Sequence, residues 1–96
     1  MDSQILISEL ENIISEKVFI KIENWNLYLG DAGLARHLAI ECIGNKNRGP
    51  SEAATISLKS INVKVGDGIK NIPLINLITT SQIIELEEIL ESFFES

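Results

Sequence analysis

The segment Ser81–Glu95 constrains this chain most. Ile83, Leu86, Ile89, Leu90, Phe93 and Phe94 recur at helical spacing and form an apolar stripe about 140° wide. Glu85, Glu87, Glu88, Glu91 and Glu95 fill the rest of the wheel. Without Lys at i+4 these acids confer solubility rather than helix stability. A helix with such a face must bury it, so the remaining residues have to supply a core. Thr80 or Ser81 is the expected N-cap.

A second helix is expected at the other end, over 3–16, with Ser3 as N-cap. Leu6, Ile7, Leu10, Ile13 and Ile14 share one face, and Glu9, Glu11, Asn12 and Glu16 lie outside it. Between the two ends, Val18, Ile20 and Ile22 alternate with Lys17, Lys21 and Glu23, the period of a half-buried strand over 17–23. Phe19 on the minority face indicates that this face is partly covered as well. Trp25, Leu27 and Leu29 continue an alternation that Asn24 and Asn26 weaken, so this stretch reads as an extended approach to a helix.

That helix is expected over 32–43, capped by Asp31 and ended by Gly44. Its wide apolar face holds Leu34, Ala35, Leu38, Ala39, Cys42 and Ile43, with alanines small enough for close packing on a sheet. Residues 45–50 read as a polar loop. Residues 51–60 fit a short helix or a strand. Ile61, Val63 and Val65 then alternate, Asp67-Gly68 is a hairpin turn, and the chain returns to Leu74. This register sets Val63 opposite Ile72 and Ile61 opposite Leu74, and Pro73 marks an edge strand.

The expected fold is a single α+β domain: a small three-stranded, mainly antiparallel sheet (strand 17–23 plus hairpin 61–74), with helices 3–16, 32–43, 51–60 and 81–95 packed on it. Ninety-six residues with 45% hydrophobic content, 17 Ile and 11 Leu among them, supply one real core. One cysteine excludes an intramolecular disulfide, and no apolar run approaches a membrane span. With no secretory leader in evidence, the expected location is the cytoplasm.

The net charge of −6 is uneven. Residues 1–16 hold four acids and no base, and residues 80–96 hold five acids and no base. The middle carries a small basic excess. Nucleic-acid binding through Lys46, Arg48, Lys59, Lys64 and Lys70 would work against the overall charge and is not expected.

No motif specifies a reaction, so neither catalytic nor metal-binding residues nor a cofactor are assigned. His37 is the sole histidine, with Glu41 one turn on, and a solvent-exposed pair is the ordinary reading of that spacing. Cys42, on an apolar face, is expected to be buried with a raised pKa, which makes a poor nucleophile. Trp25 and Tyr28 most simply plug the core; the alternative is a partner or ligand surface formed with Asp31, His37 and Glu41. Ile5, Ile40 and Ile84 fall on polar helix sides and favour an exposed apolar patch. The expected function is therefore a non-enzymatic protein–protein interaction, assembly or regulatory module, with an unknown partner or itself as a homodimer. A ligand-binding domain using Trp25, Tyr28 and Asp31 is the alternative. An enzyme built on His37 and Glu41 ranks below both.

Two blocks carry a resemblance. Trp25-x-Leu27-Tyr28-Leu29-x-Asp31-Ala32-x-Leu34, followed by Ile61-x-Val63-Lys64-Val65-Gly66 and Ile72-Pro73-Leu74, resembles a family of short, uncharacterised cyanobacterial proteins, a domain of unknown function. The resemblance implies a cyanobacterial cytosolic protein and a helical 51–60, and it assigns no catalytic residue. Gly30 stands where such sequences carry a basic or polar residue, which implies a looser start for the helix that follows.

Overall fold

In the computed structural model, which describes residues 3–22, 24–65 and 70–95, the two acidic ends are helices α1 (Ser3–Lys17) and α4 (Thr80–Glu95). Their stripes face inward as the periodicity requires: Ile7, Leu10 and Ile14 are buried on α1, and Leu86, Ile89 and Leu90 on α4. Two shorter helices, α2 (Ala35–Gly44) and α3 (Pro50–Ser60), complete a ring in which α1 packs on α2 and α4, and α3 packs on the same two. Leu10, Ile14, Leu38, Leu58, Leu86 and Leu90 are wholly enclosed at its centre. Truncating any of these leucines to alanine removes about 2–5 kcal/mol.

Ala35 and Ala39 on α2 and Ala53 and Ala54 on α3 are buried where those helices meet their neighbours. The alanine face of α2 thus packs against helices, not against a sheet. Arg36, on the outside of α2, fastens it to α1 by donating to Glu11 Oε1 at 3.1 Å and to Gln4 Oε1 at 2.7 Å.

Among the described residues the strands form two separate antiparallel ribbons. β1 (Phe19–Ile22) pairs with β2 (Trp25–Tyr28), and β3 (Asn62–Val65) pairs with β4 (Lys70–Pro73). The second ribbon has the expected register: Val63 faces Ile72, and the Leu74 N–H donates to the Ile61 carbonyl at 2.7 Å. Its Asp67-Gly68 turn lies outside the described residues, as does Glu23 at the end of the expected first strand.

The expected three-stranded sheet is therefore corrected to two ribbons of two strands. The outward edge of β1, where a third strand would dock, is already occupied. The Phe19 N–H donates to Gln82 Oε1 at 3.1 Å, and the Lys21 N–H donates to the Leu77 carbonyl at 3.2 Å. Pro73 blunts the outward edge of β4, because it has no N–H to offer. Its position in the register is the tolerated one, opposite Asn62, where a donor would have pointed away from β3.

Two helix starts also differ from expectation, and the expected helix over 51–60 is present. Asp31 is not the cap of α2: residues 29–33 form turns, and Gly33 adopts φ +73°, which a right-handed helix cannot contain, so α2 begins at Ala35. Thr79, rather than Thr80 or Ser81, caps α4, its Oγ1 accepting the Gln82 N–H at 3.3 Å. Residues 50–60 are helical, entered through Gly49 at φ +91° with Pro50 in the first turn. The loop before them contains a 3-10 turn over Lys46–Arg48.

Candidate interaction surface

The β1–β2 ribbon has two chemically different faces. Strand alternation places Ile20, Leu27 and Trp25 on one and Phe19, Tyr28, Lys21 and Asn26 on the other. On the first face Ile20 is buried and Leu27 half-buried, both against the helical core. Trp25 lies on that face but past the edge of the core, and 73% of it is exposed. On the second face Phe19 and Tyr28 meet edge to face, with ring centroids 5.4 Å apart and planes at 62°. Tyr28 is 39% exposed. The expectation that Trp25 and Tyr28 plug the core is overturned: both lie on the surface of a ribbon that projects from it.

Nor do the two rings line one pocket. Residues 25 and 28 of a strand point to opposite sides, so a ligand between Trp25 and Tyr28 would have to straddle the backbone. Asp31 is exposed in the turn after β2. His37 and Glu41 lie apart from the ribbon in sequence, on α2, with Nε2 3.8 Å from Oε1. A half-exposed i,i+4 pair of this kind contributes a few tenths of a kcal/mol at most. Among the described residues no group of three or more His, Cys, Asp or Glu side chains is placed to hold a metal ion. No helix there is long and apolar enough to cross a membrane.

Cys42 is fully buried between α2 and α3, and burial pushes its thiol up to about 11. The Ser57 hydroxyl opposes this in part, and Glu41 adds to it. Ser57 Oγ is itself buried without a hydrogen-bond partner; the thiol lies near enough to feel its dipole but not to satisfy it.

Ile5, Ile40 and Ile84 are exposed, as their wheel positions require. Open grooves also flank α4. One of about 380 Å³ runs beside Ile13 and Lys17 of α1, with Glu85, Glu88 and Phe93 on its other side. Another, of about 420 Å³, lies between Pro50 and Phe94 and is rimmed by Glu87, Glu91 and Glu95. Both are open and acidic at the rim, and neither is lined by Trp25, Tyr28 or Asp31.

Sequence reasoning missed β2. Ile22 pairs with Trp25, which leaves two residues between the strands, and Asn24 is one of them. An asparagine in a two-residue connection between alternating apolar runs is a hairpin signal rather than a strand breaker.

No curated protein and no solved structure matches this chain. The sequence profile of the family described as "Protein of unknown function (DUF3181)" matches residues 7–93, from the inner face of α1 to the last turns of α4, and the chain belongs to that family.

Proposed function

We propose that this chain is a non-enzymatic interaction or assembly module that makes its contacts through the β1–β2 ribbon, with Trp25 as the anchor. The carrying observation is the 73% exposure of the chain's sole tryptophan, held on a paired strand instead of a loose tail. An exposed indole leaves a large apolar area in water, and tryptophan is among the residues that most often dominate binding at interfaces. Its backbone is already ordered by β1, so docking it costs little further conformational entropy.

The test compares tagged wild-type protein with Trp25→Ser in lysate of the source organism, with captured proteins, untagged copies of the chain included, quantified by mass spectrometry. Trp25→Ser removes an exposed side chain and leaves the helical circular dichroism unchanged. The expected result is a loss of about tenfold or more in specifically captured protein, in keeping with a single anchor residue. Equal capture by both proteins, or specific capture by neither, overturns the proposal.

A further inference from the structure

We propose that the outer edge of β2 pairs with the same edge of a second copy, joining two ribbons into a four-stranded antiparallel sheet with its two-fold axis at Asn26. This rests on reading the ribbon as the contact surface and names the partner.

The argument begins with hydrogen-bond alternation. The Leu29 N–H donates to the Val18 carbonyl at 2.9 Å, so 18/29 is a bonded pair, and with it 20/27 and 22/25. The pairs 19/28 and 21/26 then point their backbone groups away from the ribbon. On β1 those outward donors are the ones already taken by Gln82 and Leu77. On β2 they are the N–H groups of Asn26 and Tyr28 and the Asn26 carbonyl; the Tyr28 carbonyl accepts the Ala32 N–H at 3.0 Å. Among the described residues the remaining three make no hydrogen bond.

The other ribbon protects its edges in the usual ways. β3 carries Lys64, and β4 carries Lys70 and Pro73. The β2 edge has no such guard: residues 24–29, Asn-Trp-Asn-Leu-Tyr-Leu, contain neither a charge nor a proline. This bears on the choice of partner. A chain of net charge −6, with its acids concentrated on α1 and α4, repels its own copies over much of its surface. The uncharged β2 edge is where two copies can approach without that repulsion.

The register follows from side chains. With the two-fold at Asn26, the Asn26 N–H of each copy donates to the Asn26 carbonyl of the other, and Tyr28 pairs with the second copy's Asn24. The intervening pair sets Trp25 against the second copy's Leu27, which is half-buried in the isolated chain. Trp25, the most exposed large apolar side chain among the described residues, thereby gains an apolar partner twice over. A two-fold one position further along would set Trp25 opposite Leu29, which is already wholly buried.

Such an interface is small, so a Kd of about 10–100 μM is expected. Sedimentation equilibrium of the purified chain should show a monomer–dimer equilibrium in that range. The Trp25 emission, the only tryptophan signal, should shift to the blue as concentration rises. Asn26→Lys places like charges opposite each other on the axis. It alters only an exposed side chain and should raise Kd about fivefold or more at low salt, with partial recovery at high salt. Asn26→Pro removes the outward donor without touching a β1–β2 bond and should abolish dimerisation while the helical circular dichroism persists. A chain that stays monomeric at about 500 μM overturns the inference. So does a dimer indifferent to Asn26→Lys. If the chain is monomeric yet Trp25→Ser still loses captured proteins, self-pairing fails and the proposed function stands.

Discussion

A β-carbon built on Gly30 would lie 2.7 Å from Ser15 Cβ, closer than such carbons can approach, and a tight 3.2 Å from Ser15 Cα. Gly30 is where the turn after β2 crosses the C-terminal part of α1, and its own backbone conformation does not demand glycine. The requirement is steric. Ser15 cannot swing away, because the obstruction is its Cβ on a helix whose Oγ bonds the Glu11 carbonyl at 2.7 Å.

Gly30→Ala should therefore destabilise the fold by about 1–3 kcal/mol, the ordinary cost of forcing a carbon into a packed contact. Ser15→Gly alone should cost about 0.5 kcal/mol in helix propensity. Chemical denaturation of both single variants and the double variant checks the relationship. The double variant should be more stable than the sum of the single losses implies, since Ser15→Gly removes the clashing atom. Strict additivity would show that the contact does not form.

Gln82 supports a second prediction. Thr79-x-x-Gln82 has the spacing of a capping box, and the Gln82 N–H does bond Thr79 Oγ1. The Gln82 side chain, however, accepts the Phe19 N–H instead of turning back on its own helix. Gln82→Ala should cost about 1–2 kcal/mol and speed hydrogen exchange at the Phe19 amide selectively. Thr79→Ala should cost about 1 kcal/mol by loosening the first turn of α4, with no selective effect at Phe19. Identical exchange patterns in the two variants would refute the bridging role.

These two contacts also explain what was legible beforehand. The helices at the two ends and α2 were readable because each declares itself locally: the stripe of α4 predicts the burial of Leu86, Ile89 and Leu90, and that of α1 predicts Ile7, Leu10 and Ile14, whereas residues 51–60 fitted helix and strand alike. The Val63–Ile72 register was readable for the same reason, as alternation across a short turn. The sheet was not readable. Whether β1 accepts a third strand depends on Gln82, sixty-three positions away, a separation at which no periodicity operates. Asp31 misled because its fitness as a cap is local, whereas the left-handed Gly33 beyond it delays the helix. For Trp25 and Tyr28 the residue types fit a core plug and a surface alike, because composition does not show which side of a ribbon the core covers.

Cys42 and Ser57 allow a prediction with a sign that can be worked through. The thiol has an ordinary pKa of 9.0, and burial raises it to about 11 in the folded chain. Below pH 9 the thiol is protonated in both states and contributes no pH dependence. Between 9 and about 11 the unfolded chain releases a proton that the folded chain holds, so unfolding is favoured progressively, by about 2–3 kcal/mol at the upper end. The stability advantage of the wild type over Cys42→Ala should shrink by that amount from pH 8 to pH 11, measured by urea denaturation. A constant difference would show that the thiol is solvated. Ser57→Ala acts on the other half of the pair. It removes a buried hydroxyl that has no partner and places a better helix former in α3, so stability at pH 7 should be unchanged or rise by about 1 kcal/mol. A loss of more than about 1 kcal/mol would instead show that the hydroxyl is satisfied in solution, by the Cys42 sulfur or by a buried water.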